Sequence, residues 1–267
     1  MSDAAAPPAP PRSAAGPLLM VSDALTMSGR CLRLSRRDSE TLMGSVVLPV
    51  ALLLVLVYLF GGAITIGADY LRYVVPGVLL LCAALGSALT AVIVCQDVSS
   101  GITDRFRAMG IGGASLLVGH VAASVARNAA SAVLLLGVSY AVGFRADASP
   151  LAWLPVAGVL LAFVLAVSSL AVVAGLLIRS TEGVNTLVGM GLLAPFASSA
   201  FVPVSTMPSW LHGFADNQPV APVVDTVRRL LLDQSLGWRP WQALAWCGGI
   251  AIVSTSSAVL LFRRRTA

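Results

Sequence analysis

The stretch VVPGVLLLCAALGSALTAVIVC, residues 74–95, decides the fold class of this chain. It contains no acidic or basic side chain, and its single proline, Pro76, stands near its start. A helix needs about 20 predominantly apolar residues to cross the hydrocarbon core of a bilayer. The stretch is therefore predicted to be a membrane-spanning helix.

Five other apolar runs of similar length flank this stretch. Together the six runs cover residues 46–66, 74–95, 116–142, 153–178, 184–202 and 241–262. Because backbone polar groups cannot stay unsatisfied in hydrocarbon, each run is expected to satisfy them internally as a helix. The sequence thus predicts an all-α membrane protein with six transmembrane helices.

The composition excludes a water-soluble domain. Hydrophobic residues make up 57% of the 267 residues and charged residues 11%, whereas a soluble domain carries about 25% charged residues. A net charge of +5 would suit a nucleic-acid-binding protein, but the basic side chains, all arginine, stand in short groups between the apolar runs. No nucleic-acid partner is therefore expected.

The same arginines predict the orientation. Eleven lie before the first run, in the loops after the second and fourth runs, or in the C-terminal tail. The five on the opposite side are Arg72, Arg145, Arg228, Arg229 and Arg239. Since cytoplasmic loops carry the excess of positive charge, both termini are predicted to be cytoplasmic.

The chain before the first run divides into two parts. Residues 1–17 are rich in alanine and proline, which predicts a disordered cytoplasmic tail. Residues 18–43 are predicted to form an amphipathic helix, and residues 44–265 the six-span domain. The basic side chains of that helix are Arg30, Arg33, Arg36 and Arg37. Such a helix either lies at the interface on anionic lipid, which we favour, or is solvated in the cytoplasm.

The loop after the second run, QDVSSGITDRFRAMGIGG at residues 96–113, is amphipathic. Ile102, Phe106 and Met109 recur at i, i+4 and i+7 and so share one face of a short helix. The charged side chains off that face are Asp104, Arg105 and Arg107. A helix of this kind either rests on lipid or docks into a groove of a soluble partner, and the residues alone leave both open.

Metal and acid–base chemistry find little support. Asp97 and Asp104 could form a pair, but the loop supplies no further carboxylate or histidine. His120 and His212 lack the spacing of zinc ligands and are predicted to be structural or solvent-exposed. No metal site is therefore expected.

Arg127 is the one charge well inside an apolar run. An intramembrane arginine is costly and indicates a functional role unless its head group reaches the interface. Both readings are open, because the third run is long enough for Arg127 to snorkel to the inner surface. Its neighbour Asn128 is predicted to hydrogen-bond across the bundle.

The longest loop, residues 203–240 between the fifth and sixth runs, is amphipathic as well. Its first apolar face comprises Trp210, Leu211 and Phe214, and its second comprises Val223, Val227, Leu230 and Leu231. The charged side chains expected to lie away from the second face are Asp225, Arg228, Arg229 and Asp233. Two short helices at the outer leaflet are predicted, with Trp238 and Trp241 suited to the aromatic belt.

Motifs for catalysis are missing from the sequence. It has no G-x-x-x-x-G-K-[ST] loop that could cradle the phosphates of ATP, and neither G-x-S-x-G nor H-E-x-x-H occurs. The chain is therefore not expected to be an enzyme or to bind a cofactor itself. If it moves a compound uphill, the energy must come from a partner.

The whole pattern resembles the ABC-2 family of transporter permeases, most closely the daunorubicin/doxorubicin-resistance type of exporter permease from actinobacteria. The resemblance runs from about Ala24 to Arg265. The segments that carry it are FGGAI (60–64), YVVPG (73–77), DVSSGITDRFRAMGI (97–111), FVPVSTMPSWL (201–211) and NQPVAPVVDTVRRL (217–230). Within the last two, the outer-loop motif residues are Pro203, Met207, Pro208, Trp210 and Arg228. One departure is Gly110, where the family usually has proline after the residue equivalent to Met109.

The resemblance implies a bacterial plasma-membrane exporter of a hydrophobic or amphipathic small molecule. It implies six spans, an N-terminal interface helix, a second permease copy in a homodimer and two copies of a separate ATPase subunit that binds ATP and magnesium. Residues 101–109 would be the coupling helix that contacts the ATPase. Its residues, with the preceding aspartate, are Asp97, Gly101, Ile102, Asp104, Arg105, Phe106, Arg107 and Met109.

Three alternatives stay open at the level of sequence. The cargo could be a polysaccharide or lipid-linked glycan, or the protein could be a scaffold or immunity protein that transports nothing. An intramembrane hydrolase would need a Ser/His or His/Asp set at one depth, whereas His120 and His212 are predicted on opposite sides of the membrane.

Overall fold

The computed structural model describes residues 39–61, 70–102, 113–178 and 180–264, in which every regular element is helical. The helices are α1 (Ser39–Val55), α2 (Tyr70–Ser99), α3 (Gly113–Val142), α4 (Trp153–Leu177), α5 (Thr181–Gly191), α6 (Ser209–Asn217), α7 (Val220–Leu231) and α8 (Arg239–Arg264). A π-helical turn (Leu56–Phe60) continues α1, and 3-10 turns precede α4 (Pro150–Ala152) and α6 (Val204–Thr206). The all-α class is confirmed for these residues.

Four helices are long and apolar enough to cross a membrane. They are Tyr70–Ser99, Leu117–Val142, Pro150–Leu177 and Arg239–Leu261, which match the second, third, fourth and sixth predicted runs. The most apolar window of α2 is 72% buried, against 17% for that of α8. Helix α2 is thus the central element, with α1, α3, α4, α5 and α7 packed around it.

The structure describes the first predicted run, residues 46–66, only as far as Gly61. Its apolar helix Val46–Leu59 is shorter than the four spans, and the α-helical geometry gives way to a π turn at Leu56. Helix α1 begins at Ser39, so it continues across the boundary expected between residues 43 and 44. The predicted tail and the arginines of the interface helix lie outside the described residues.

The fifth predicted run, residues 184–202, differs from the expected single helix. Ser180 caps α5 by accepting the N–H of Gly183 at 3.2 Å, and the helix ends at Gly191. Consecutive turns follow it. Pro195 lacks an N–H and clashes with the preceding turn, and the nearby glycines weaken the helix further. The structure therefore corrects the expectation of one continuous fifth helix.

The long loop between the fifth and sixth runs contains two short helices, α6 and α7. The apolar face of α7 is packed, with Val223, Val227 and Leu231 fully buried, against α2, α4 and α8. The carbonyl of Leu231 also accepts the N–H groups of Asp147 and Ala148 at 3.0 and 3.2 Å. This ties α7 to the segment that follows α3.

Candidate functional site

The sequence-predicted coupling segment lies where α2 ends and α3 begins, which we call the loop end of the bundle. Helix α2 ends at Ser99, and Gly101 follows with φ of +69°, a conformation that favours glycine. Gly101 and Ile102 are half-buried. The remaining residues, Asp104, Arg105, Phe106, Arg107 and Met109, lie outside the described residues.

A contact between Asp97 and His120 joins the two helices at the loop end. The Nε2 atom of His120 lies 3.4 Å from Oδ2 of Asp97, and the His120 side chain is 4% exposed. The sequence offered Asp97 no histidine nearby, whereas packing of α2 on α3 supplies one 23 positions along the chain. In the described part of the chain, no three His, Cys, Asp or Glu side chains group together as a metal site would require.

Six polar side chains meet inside the bundle, where α2, α3 and α4 pack. This interior polar cluster comprises Ser87, Thr90, Ser124, Arg127, Asn128 and Ser168, all buried. The hydroxyl of Ser168 lies 2.8 Å from that of Ser124 and 3.1 Å from that of Ser87. Ser168 of α4 therefore connects α2 and α3 in one continuous chain of hydrogen bonds across three helices.

Arg127 lies within this cluster. Its side chain is 5% exposed, and its guanidinium donates from Nη2 to Thr90 Oγ1 at 2.8 Å. The protein itself encloses the head group. A buried arginine of this kind is costly to place and links α3 to α2.

Asn128 makes the cross-bundle bond expected of it and fits against a glycine. Its Nδ2 donates to Ser87 Oγ at 3.3 Å and to the Ser124 carbonyl at 3.0 Å. A Cβ added at Gly86 would stand 2.2 Å from Asn128 Oδ1. That oxygen has no hydrogen-bond partner among the described residues. Only glycine at position 86 lets α2 approach this amide so closely.

We expect Ser168→Ala to lower the stability of the bundle modestly. It removes the hydroxyl that bridges α2 and α3, and hydrogen bonds between membrane helices are worth about 0.6 kcal/mol each, so the loss is about 1 kcal/mol. The matched control is Ser169→Ala, whose hydroxyl bonds only the Leu165 carbonyl of its own helix among the described residues. Unfolding in detergent measures both, and equal effects would contradict the bridging role.

At the other end of the bundle, Arg228 of α7 holds together three parts of the chain. Its Nη1 donates to Asp225 Oδ1 at 2.8 Å, its Nη2 to the Ser199 carbonyl at 2.7 Å, and its Nε to the Tyr73 carbonyl at 3.2 Å. The guanidinium also stacks 3.8 Å from the centre of the Tyr73 ring. We call these side chains and carbonyls the Arg228 cluster.

The Arg228 cluster closes on itself through further bonds. The Tyr73 hydroxyl donates to the Ser199 carbonyl at 2.8 Å, and the Ser199 hydroxyl donates to Asp225 Oδ1 at 2.9 Å. Burial lowers the pKa of the Arg228 guanidinium, and the Tyr73 and Asp225 groups oppose that shift. A second arginine, Arg239, approaches Asp225 Oδ2 at 3.7 Å.

The prediction that Arg228 lies away from the packed face of α7 is wrong. Its side chain is only 10% exposed, because the planar guanidinium stacks on Tyr73 and points its donors at carbonyl groups. The amphipathic pattern treats every arginine as a surface residue and so misses this site. The signal that could have found it is the aromatic residue Tyr73 at the start of a span.

The other outer-loop motif residues lie around α6. Pro208 immediately precedes α6, and the Met207 carbonyl lies 2.9 Å from Nε2 of His212. Pro203 precedes the 3-10 turn. Trp210 is 80% exposed, and Trp238 and Trp241 are exposed as well. Exposed tryptophans at one end of an apolar bundle suit a membrane interface.

Comparisons with known proteins agree with this geometry. The model of the ABC-2 type transporter family matches residues 23–232. The daunorubicin resistance ABC transporter permease protein DrrB1 of Streptomyces coeruleorubidus is 27% identical to this chain. The alignment covers 92% of this chain and 88% of the length of DrrB1. The probable doxorubicin resistance ABC transporter permease protein DrrC of Mycobacterium tuberculosis is 26% identical to this chain. The alignment covers 92% of this chain and 90% of the length of DrrC.

The family match covers well over half of the chain, and the relatives align along almost its whole length. Its long apolar helices are those of an integral membrane protein. The chain therefore belongs to the ABC-2 type transporter family.

Proposed function

We propose that this protein is the membrane permease subunit of an ATP-driven exporter of a hydrophobic or amphipathic small molecule, a drug or natural product. The observation that carries the proposal is the alignment, over 92% of the chain, with permeases named for resistance to daunorubicin and doxorubicin. The apolar exteriors of α4 and α8 suit a protein that works within the hydrocarbon layer.

The proposed topology has six crossings in the bacterial plasma membrane, with both termini in the cytoplasm. Helices α2, α3, α4 and α8 supply four crossings. The α1 segment with its π turn, and α5 with the turns after it, supply the other two. The distribution of arginines supports this orientation, and α6 and α7 then lie at the outer leaflet with their exposed tryptophans.

The energy would come from two copies of a separate ATPase subunit that holds ATP and magnesium. Residues 101–109 would form the helix that docks into it through Ile102, Phe106 and Met109. The Asp97–His120 contact supports this role, because it joins the two helices on either side of the docking segment. A push on that segment would reach α2 and α3 together.

Transport would then follow from a two-state change of the bundle. Nucleotide binding favours one arrangement of the ATPases, and that preference biases the permease between inward-open and outward-open forms. The interior polar cluster links α2, α3 and α4 by hydrogen bonds, so these helices would move as a unit. A second copy of the permease would complete the pathway as a homodimer.

We expect Phe106→Asp to abolish co-purification of an ATPase with the tagged permease from membranes of its native host. A carboxylate in an apolar groove costs several kcal/mol of binding unless it is paired. The matched control is Phe106→Leu, which keeps the apolar face and should retain the partner. The readouts are ATPase activity of the eluate and efflux of daunorubicin from cells.

Two outcomes would overturn the proposal. If no ATPase accompanies the wild-type protein from gentle detergent, the permease lacks its energy source. If an ATPase accompanies Phe106→Asp as well as the wild type, the docking segment is wrongly assigned.

A further inference from the structure

A cavity of about 310 Å³ opens between α2, α4, α5 and the turns after α5. The start of α7 and Ile250 of α8 complete its wall. Ala88 of α2, Phe163 and Ala171 of α4, Leu187 of α5 and Pro195 form parts of its wall. Its volume falls in the range of about 300–1,000 Å³ typical of small-molecule sites. None of the six residues of the interior polar cluster lines it.

The cavity is apolar throughout. The described residues of its wall are alanine, valine, leucine, isoleucine, phenylalanine, proline and glycine, and none of them has a charged or hydrogen-bonding side chain. A charged group placed there would lose its hydration without gaining a partner. The chemistry of the wall therefore selects an uncharged, apolar body.

The cavity is deep and reaches the surface. Phe163 and Ala171 at its base are 5% and 8% exposed, whereas Leu170 and Leu187 at its rim are 51% and 49% exposed. From Phe163 to Ala174 the wall follows α4 for about 16 Å, at 1.5 Å per residue. An elongated or flat molecule fits such a shape better than a compact one.

One wall of the cavity is weakly anchored. Helix α5 packs against α2, and Val184 is its one fully buried residue. A short helix with so little burial opens locally at low cost in free energy. Entry and exit through this side favour a transient occupant over a permanent one.

We propose that this cavity binds the apolar body of the exported compound as it arrives from the hydrocarbon layer. The inference rests on the proposed function, since it names where and by what chemistry the cargo is held. Polar parts of an amphipathic cargo would stay outside the rim. The occupant is the cargo, and neither a structural lipid nor a second copy of the chain.

The test uses the permease with its co-purified ATPase in lipid nanodiscs and an uncharged probe, anthracene carrying a diazirine. After illumination, mass spectrometry should find the label on residues 163–174 or 187–195, and excess daunorubicin should suppress it. Ala171→Leu fills the cavity and should reduce labelling at least tenfold. Ala88→Leu does the same from the opposite wall, in case the first variant fails to fold.

The matched control is Ala130→Leu, at an exposed position of α3 that does not line the cavity. It should leave labelling and export unchanged, whereas the two cavity variants should lose daunorubicin export and keep the ATPase. Equal labelling of the wild type and both cavity variants would overturn the inference. So would a bound phospholipid that the cavity variants lose and daunorubicin does not displace, or a second permease copy lost from them.

Failure of this inference can be told from failure of the proposed function. A wild-type protein that exports daunorubicin and binds an ATPase, yet is not labelled in the cavity, refutes only the cavity. A wild-type protein that is labelled there but neither exports nor binds an ATPase refutes the function.

Discussion

Arg228→Ala is expected to destabilise the protein by about 3–5 kcal/mol, the cost of breaking a buried ion pair by removing one partner. The change leaves Asp225, whose side chain is 16% exposed, without its closer cation at 2.8 Å and with only Arg239 at 3.7 Å among the described residues. The Ser199 and Tyr73 carbonyls each lose one donor, and the Tyr73 ring loses the stacked guanidinium. Arg228 thus joins α7, the start of α2 and the turns after α5 through one side chain.

The loss should appear as a fall of about 10 °C in the melting temperature of the purified protein. Arg228→Lys tests the geometry, because lysine keeps the charge but cannot present a planar fork to three acceptors while stacking on a ring. We expect it to recover a minority of the lost stability. Full recovery by lysine would show that charge alone matters.

The matched control is Arg229→Ala, next along α7. Arg229 donates to the Ser235 carbonyl in an exposed setting, so its removal should change stability by less than about 0.5 kcal/mol. If the two alanine variants melt at the same temperature, the Arg228 cluster does not anchor the outer segment.

Gly175→Ala is expected to force α4 away from α2. A Cβ at position 175 would stand 2.5 Å from the carbonyl oxygen of Ala91 and 2.9 Å from Cβ of Val94. Neither atom is the tip of a flexible side chain, so the helices themselves must separate. Overpacking of this kind costs about 1–3 kcal/mol, and here it also disturbs the alignment of the interior polar cluster between the same helices.

Gly158→Ala, on the same helix, should act in the opposite direction. Nothing lies within 4 Å of a Cβ at that position, and alanine favours a helix by about 0.5–1 kcal/mol relative to glycine. The two variants make the same chemical change and differ only in surroundings. Thermal unfolding in detergent compares them, and a stabilising Gly175→Ala would show that α4 and α2 are not in close contact there.

The sequence predicted four of the membrane helices within a few residues at most ends, because a span of uninterrupted apolar residues has few ways to satisfy its backbone in hydrocarbon. It failed at residues 184–202, where hydropathy is high but Pro195 and nearby glycines oppose a continuous helix. A count of apolar residues does not weigh the backbone preferences of individual positions. For the same reason, a count of apolar residues did not predict the π turn after Val55.

For the candidate sites, the sequence identified individual residues but not their contacts. The pattern of the 96–113 loop singled out an amphipathic segment, and an arginine inside an apolar run singled out Arg127. What it could not predict was which side chains these would meet. His120 reaches Asp97, and Ser168 bridges Ser87 and Ser124, because helix packing joins residues that are far apart in the chain.

By itself, the sequence determined that this protein is helical, lies in a membrane and belongs with a family of transporter permeases. These properties depend on the composition and on local sequence patterns, both of which can be read without knowing the tertiary structure. The tertiary structure alone decided that Arg228 is buried and that apolar side chains from several helices enclose a cavity. Both depend on how closely two helices approach, and that distance is set by the fit of whole helix surfaces.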